Sequence, residues 1–481
     1  MKTSLPEFEH FIKDKRIAVI GAGISNRPLV RWLYPKNKNI TVFDKMEPSD
    51  ERLIAIRNDF YSQGITLNWV TGKGYLDSLQ GFDFIFRTPK MRTDLPQLIR
   101  EREQGAVITS EIALFAELCP APIYAVTGSD GKTTTTTLIS LILKTHGHRV
   151  FTGGNIGTPL IDQIDNIRAD DRVVLELSSF QLMDMLPLVH RAVITNIIPN
   201  HLDFHKDFDE YIDAKKNIYR AQGVLDALIV NASDPTSSRF IREAIGEVRL
   251  FNKHDSGRMT SAWRDEGALW LHHSSEHNPQ RIINEYDVLL PGSFNLENIL
   301  AAAAATAGDV SLDAVRKTAR TFEGVAHRME LVGEVDGVRW YNSSVDSSPS
   351  RTIKTLMAFR EMDESVVLIA GGQDKKSEYT DLGQAIVETT KRIVLCGQNA
   401  DLILNAIQTA CNRSGIGFNE LEIVCAEDYE QAVRQARNLA LPGDTVIFSP
   451  AGTSYDRYHH FEERGDHFRR LVGTMIDENN P

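Results

Sequence analysis

Residues 127–138 read TGSDGKTTTTTL, and the reading of this stretch decides the fold. It carries the lysine and hydroxyl of a phosphate-binding loop at an unusual spacing. The common loop has two glycines enclosing four residues before Lys-Ser/Thr, whereas Gly128 and Gly131 enclose only two, and the residue five before Gly131 is Val126. The physical ingredients are nevertheless complete. An apolar run, PIYAV, predicts a strand that delivers the chain into a turn where glycines permit φ > 0 and close approach of backbone N–H groups to phosphate. A helix beginning near Lys132 then aims its N-terminal dipole at the same anion. Lys132 is expected at the terminal phosphates and Thr133 at Mg²⁺. Thr135, Thr136 and Thr137 read as helix rather than chemistry, since β-branched residues are poor helix formers unless their hydroxyls find partners.

Working outward, VVLELSSFQL places Glu176 at the end of an apolar strand, where a lone carboxylate is costly unless it meets a cation; it reads as a Mg²⁺ ligand. ITNIIPNHLDFH places His201, Asp203 and His205 in the loop after the next strand. Mg²⁺ prefers oxygen, so His201 reads equally as a structural histidine or as a ligand. Lys215, in YIDAKKNIY, reads by composition as a solvated helix lysine.

The surrounding chain alternates short β-rich runs with helical patterns, the sequence form of stacked βαβ units. RIAVIGAG, ITVFD, FDFIFRTP and GAVIT make one series. PIYAVTGSDGK, HRVFTGG, RVVLELSS, RAVITNI and DALIVNAS make a second. SVVLIAGGQDK, RIVLCG, LEIVCA and DTVIFSPAG make a third. The expected fold is α/β in three domains: residues 1–108, N-terminal and Rossmann-like; 109–325, central, with a P-loop ATPase-type parallel sheet; and 326–481, C-terminal and Rossmann-like. A length of 481 residues fits that count. Residues 257–290 loosen into a polar stretch whose LHHSSEH reads as a solvated loop or β excursion.

The hydrophobic fraction of 42% and charged fraction of 25% are those of an ordinary soluble protein. A formal net charge of -12 argues against a nucleic-acid partner. The four cysteines show no metal spacing, the polar N-terminus has no apolar leader core, and no run is long enough for a membrane span. A cytoplasmic protein without membrane or nucleic-acid partners is the expectation.

In VIGAGISNRPL, Gly21 and Gly23 begin a dinucleotide fingerprint, but Asn26 stands where the third glycine belongs. Asp44 ends the next strand, 21 residues after Gly23, where an acid bonds a ribose hydroxyl. Alone, this fits a dinucleotide-dependent oxidoreductase as well as any nucleotide domain. No hydride-transfer constellation accompanies it, and a separate ATP loop is present.

In order along the chain, GSDGKTTTT, GGNIG, LELSSFQL, NHLDFH with YIDAKKNI, GSFNLENILAAAA, AHRMELV, AGGQDKK and SPAGTSYDRYHHFEERGDHF resemble the ATP-dependent Mur ligases of peptidoglycan synthesis, in particular their D-glutamate-adding branch. That family uses the shortened GxxGK[ST] loop. The resemblance implies ATP at Gly128, Ser129, Asp130, Gly131, Lys132, Thr133 and Thr134, with Asn295, Asn298 and Arg328. It implies two Mg²⁺ sites, with Mn²⁺ as a substitute, held by Thr133, Glu176, His201 and Lys215, the lysine often carbamylated in relatives. Lys132, His201 and Lys215 are the implied catalytic residues.

The same resemblance turns the N-terminal domain from a dinucleotide to a UDP-sugar site, with Gly23, Ile24, Ser25, Asp44 and Lys45 around the nucleotide and Asn155, Ser178 and Gln181 nearer the muramoyl group. Lys375, Ser454, Tyr455 and Phe461 fall on the family's amino-acid site. The implied reaction joins D-glutamate to UDP-N-acetylmuramoyl-L-alanine through an acyl phosphate, in a monomer. YNSSVDSSPSRT departs from the usual Asn-Asp-Ser-Lys-Ala-Thr: Ser343 replaces an acid and Val345 a lysine, and Asp346 and Arg351 are candidates for the compensating charge. Phe294 and Lys90 also stand where the family usually has histidine and glycine. The rivals are the same mechanism with another amino acid such as L-glutamate, the oxidoreductase, and an inactive ATP-gated binding partner.

Overall fold

The computed structural model describes residues 3–202, 204–254 and 258–479. Asp203 lies outside them. Three sheets follow one another along the chain. The first contains β1 (Ile17–Ile20), β2 (Ile40–Asp44), β3 (Asn68–Thr71), β4 (Phe84–Phe86) and β5 (Val107–Thr109). All its pairings are parallel, in the order β3-β2-β1-β4-β5.

The second contains β6 (Ile123–Thr127), β7 (Val150–Gly154), β8 (Arg172–Glu176), β9 (Arg191–Ile194), β10 (Ala227–Asn231), β11 (Glu247–Phe251), β12 (Ser261–Asp265), β13 (Ala268–His272) and β14 (Gln280–Asn284). Its order is β14-β13-β12-β11-β10-β9-β6-β8-β7. The stretch expected as a loop or β excursion forms the antiparallel β12–β13–β14 edge. Within LHHSSEH, His272 is buried and its Nε2 meets the Glu276 carbonyl at 3.0 Å.

The third contains β15 (Glu330–Val335), β16 (Val338–Asn342), β17 (Val366–Ala370), β18 (Arg392–Leu395), β19 (Glu422–Cys425) and β20 (Thr445–Phe448), in the order β15-β16-β20-β17-β18-β19. Only β15 runs antiparallel to its neighbour.

The core strands form for a common reason. IAVI, IYAVT and VVLIA are β-branched apolar runs in which every residue is buried, as parallel strands covered on both faces require. The chain divides into two compact units, Met1–Asn284 with Glu297–Ala319, and Glu285–Leu296 with Arg320–Pro481. The first two sheets share the first unit and one core, in which Ile17, Val19 and Phe86 join Ile123, Ala125 and Val173. The Arg87 guanidinium, buried, forms a two-toothed ion pair with Asp184 that ties the loop after β4 to the segment between β8 and β9. In the central sheet β6 lies between β9 and β8, at the point where the strand order reverses. That is where an open parallel sheet leaves a crevice for a ligand.

Candidate active site

The loop after β6 occupies that crevice. Gly128 has φ +147° and Gly131 φ +78°, conformations that favour glycine. Space demands glycine too: a Cβ at Gly128 would lie 1.8 Å from Thr195 Oγ1, and one at Gly131 2.4 Å from Asn298 Oδ1. Gly131 caps the Lys132–His146 helix. The loop is stitched from below by residues the sequence did not flag. Thr195 Oγ1 donates to the Asp130 carbonyl at 2.6 Å, the Asp130 N–H donates to Asn196 Oδ1 at 2.9 Å, and Ser129 Oγ lies 2.8 Å from Tyr211 Oη. Their signal was the polar TN ending an otherwise apolar strand. Lys132 Nζ donates to the Gly128 and Ser129 carbonyls at 3.0 and 2.9 Å, curled over its own loop.

The threonine run divides by position. Thr133 Oγ1 donates to Glu176 Oε2 at 2.8 Å, and Thr134 is buried in the first turn. Thr135 Oγ1 donates to Asn298 Oδ1 at 3.1 Å and Thr137 Oγ1 to the Thr133 carbonyl at 2.8 Å. These bonds provide the partners that a β-branched helix start needs.

Glu176 ends β8 with 1% of its surface exposed. Its other oxygen accepts from Asn155 Nδ2 at 2.8 Å, and among the described residues it makes no ion pair. A buried carboxylate with hydroxyl and amide neighbours and no direct ion pair has the donor set a hard cation requires.

Lys215 is the least expected feature. It is on the inner face of the Phe208–Arg220 helix, 1% exposed, and its Nζ donates to the Gly128 carbonyl at 2.7 Å and to Thr127 Oγ1 at 3.3 Å. The Tyr211 ring lies 4.6 Å below it. Burial, then the nearby Lys132 charge, holds its ammonium pKa well below the ordinary lysine range, against the opposing pull of Glu176 and Asp130. The solvated surface lysine that composition suggests is instead a buried amine tending to neutrality.

His201 is exposed, with φ +55° and its ring 4.9 Å from Phe180. His205 is buried: its Nε2 meets Ser179 Oγ at 2.9 Å, its ring stacks on Phe180, and burial lowers its pKa. Ser178 and Gln181 form a capping box for the Ser179–Leu182 turn, each side chain closing on the other's backbone N–H. Their hydrogen bonds therefore shape the turn beneath Phe180.

At the end of β1, Asn26 replaces the third glycine with a purpose: its Nδ2 donates to the Ile20 and Gly21 carbonyls at 2.9 and 3.0 Å. Asp44 is buried and accepts from the Ala22 and Met46 N–H groups at 2.7 and 2.9 Å, so it braces the glycine turn. Ile24 is 70% exposed at the mouth of that turn, beside Gly23 and Ser25, and Lys45 is exposed next to Asp44.

Asn295 and Asn298 lie on the Ser293–Thr306 helix, both buried. Asn295 Nδ2 donates to the Pro291 carbonyl at 2.6 Å, and Phe294 is exposed beside it. In the second unit, Arg328 is half-buried in a tight turn before β15. The residues expected at an amino acid gather at the carboxyl ends of the adjacent strands β16, β20 and β17. The Gln373 and Thr453 backbones exchange hydrogen bonds of 2.8 and 2.9 Å, which sets the loop of Lys375 beside that of Ser454. Lys375 and Tyr455 are exposed, Ser454 is buried, and the Phe461 carbonyl accepts from Ser344 Oγ at 2.8 Å. Asp346 is buried, taking Thr355 Oγ1 and Ser449 Oγ at 2.7 and 2.8 Å. It is a buried acid held by two hydroxyl donors.

Residues 126–306 match the profile of the Mur ligase middle domain, and residues 327–452 that of the Mur ligase glutamate ligase domain. The chain belongs to the Mur ligase family. Its relatives include the UDP-N-acetylmuramoylalanine–D-glutamate ligases of Acetivibrio thermocellus, 44% identical, and Clostridium novyi, 41% identical, each aligned over 99% of this chain and 100% of the relative. The crystal structure of the UDP-N-acetylmuramate–alanine ligase of Thermotoga maritima shares the Mur ligase fold at 17% identity, with a TM-score of 0.55 over 96% of this chain and 99% of that one. The loop spacing, the strand-end glutamate and the buried helix lysine thus sit together in a Mur ligase middle domain.

Proposed function

We infer that this Mur ligase is a UDP-N-acetylmuramoyl-L-alanine:D-glutamate ligase, forming an amide bond at the expense of ATP in peptidoglycan precursor synthesis. The observation that carries the reading is 41–44% identity to D-glutamate ligases along essentially the whole chain, and the loop geometry gives that reaction a place. Amide formation from a carboxylate needs activation. The alanyl carboxylate oxygen attacks the γ-phosphorus of ATP and ADP leaves. The amine nitrogen of D-glutamate then attacks the acyl carbon, phosphate leaves, and the amine proton is lost. Positioning and charge neutralisation supply most of the acceleration in such phosphoryl transfers.

In this reading the N–H groups from Gly131 to Thr133 and the helix dipole receive the terminal phosphates, and Lys132 turns from its own loop carbonyls to the β/γ-oxygens. Asn298 packs under Gly131, and Asn295 and Arg328 flank the nucleotide. Thr133 and Glu176 fit Mg²⁺, or Mn²⁺ in its place, which would neutralise charge on the transferring phosphoryl group when bound. A second ion at His201 and Lys215 fits only once Lys215 has gained oxygens: a neutral amine adds to CO₂, loses a proton and becomes a carbamate, and the depressed pKa of Lys215 favours that amine. Gly23, Ile24, Ser25, Asp44 and Lys45 form the UDP site, with Asn155, Ser178 and Gln181 toward the sugar. Lys375, Ser454, Tyr455 and Phe461 hold the amino acid. We place the domain boundaries near residues 108 and 325 and the protein in the cytoplasm, as a monomer.

The test is phosphate release by the purified protein given ATP, Mg²⁺, UDP-N-acetylmuramoyl-L-alanine and each of D-glutamate, L-glutamate and D-aspartate. The expected result is turnover that requires both the nucleotide substrate and D-glutamate. Release independent of either one overturns the assignment.

A further inference from the structure

Three cationic side chains stand near the carboxyl ends of β16, β20 and β17. Arg351, in the first turn of the Pro349–Glu361 helix, is exposed and donates through Nη1 to the Val345 carbonyl at 2.9 Å. Arg464 is 1% exposed and reaches the neighbouring residue, Ser344, through its Oγ at 3.0 Å and its carbonyl at 2.8 Å, and the Gly452 carbonyl at 3.0 Å. Lys375 projects from the loop that pairs with Thr453. Burial lowers its pKa and the fields of Arg351 and Arg464 add to that, so Lys375 lies within electrostatic reach of both guanidinium groups.

Two acids of this region are engaged by hydroxyl and amide donors, while Asp456, in the loop of Ser454, has both carboxylate oxygens buried and free of hydrogen bonds and forms no ion pair among the described residues. Asp346 accepts from Thr355 and Ser449, and Asp374 accepts from Tyr379 Oη at 2.9 Å and the Ser377 N–H. Among the described residues none of Arg351, Lys375 and Arg464 forms an ion pair. Arg464 is a pin that holds the Ser344 and Gly452 segments together. Arg351 and Lys375 remain open to solvent, and like charges are held close where an anion can repay the repulsion.

We propose that Arg351, with Lys375, receives the side-chain carboxylate of the incoming amino acid, and that Arg351 is the residue that selects a dicarboxylic over a neutral amino acid. The guanidinium stands over the Val345 carbonyl, at the segment where an apolar residue removes any lysine from the strand-end loop. A planar fork is suited to a carboxylate. This rests on the reading of the protein as an amino-acid ligase.

The experiment uses the full chain carrying Arg351→Met, Arg351→Lys or no change, with initial-rate phosphate release at varied D-glutamate and at varied D-glutamine as the neutral isostere. Loss of a charge-assisted pair predicts a KM for D-glutamate raised roughly 10- to 100-fold in Arg351→Met. The KM values for ATP and the nucleotide substrate stay within twofold, kcat within threefold, and preference for D-glutamate over D-glutamine falls by the same factor. Arg351→Lys recovers part of the loss. An unchanged KM for D-glutamate, or equal losses for D-glutamate and D-glutamine, overturns the proposal, the latter assigning Arg351 only the support of Val345. If the unchanged protein turns over a neutral amino acid instead of D-glutamate, both readings fall. If it turns over a different dicarboxylic amino acid, only the substrate assignment falls, and the same variants judge Arg351 with that substrate.

Discussion

Lys215 Nζ lies 2.7 Å from the carbonyl oxygen of Gly128, so a buried amine braces the first residue of the phosphate loop. Because its native pKa is depressed from 10.5, the unfolded chain holds a proton that the native chain gives up. Stability of the CO₂-free protein therefore rises with pH, by about 1.4 kcal/mol per unit, from the lowered native value up to about 10.5. Lys215→Met removes that slope, read by urea unfolding across alkaline pH, and abolishes turnover.

Gly131→Ala places a methyl group 2.4 Å from Asn298 Oδ1 at a φ of +78°. Strain of about 1–3 kcal/mol at such a position is relieved by moving the loop. ATP affinity, measured by calorimetry, is expected to fall at least tenfold, while affinity for the UDP-sugar changes little.

Glu176→Gln keeps an acceptor for Thr133 Oγ1, now 2.8 Å from the glutamate, but removes the charge. The expected outcome is a kcat reduced by about two to three orders of magnitude with a Mg²⁺ requirement shifted to higher concentration. A Mg²⁺ titration identical to that of the unchanged protein would remove Glu176 from the proposed metal site.

Glu111 is buried at the start of the Glu111–Leu118 helix, and burial pushes its carboxyl up to about 8. Here the native state holds the extra proton. The stability it contributes is full below about 4.5 and falls by about 1.4 kcal/mol per pH unit toward 8. Glu111→Gln flattens the curve over that interval in thermal melts, without changing the KM for ATP.

Every strand named from the sequence is present: the central ones are buried on both faces and write that environment into consecutive apolar residues, while the partly exposed edge strands β5, β7 and β19 were legible from their β-branched and aromatic residues. β3 went unnamed: its NWVT is partly exposed on the edge of its sheet and carries no such run. β11, β15 and β16 were also missed: β15 is largely half-buried and carries charges, and Arg249 in EVRLF and Arg339 in VRWYN interrupt the apolar runs of β11 and the largely buried β16. In the candidate site, the placement of Lys132, Thr133 and Glu176 at a helix start and a strand end was readable from local chemistry. Lys215 was not, because a lysine on an amphipathic helix announces solvent, and only the tertiary packing of Tyr211 and Gly128 around it reverses that. Thr195, Asn196 and Arg464 act through contacts 65, 66 and 120 positions away, beyond any local pattern.

Asn298, whose amide oxygen meets Thr135, stands 163 positions after it. During synthesis the loop residues leave the ribosome long before this partner does. Loop-closure entropy makes so distant a contact slow to form, and a β-branched run is a poor helix on its own. The nascent chain therefore carries the complete phosphate-binding stretch in an unassembled condition, and competence to grip ATP arrives late, with the alanine-rich helix that brings Asn298 into place.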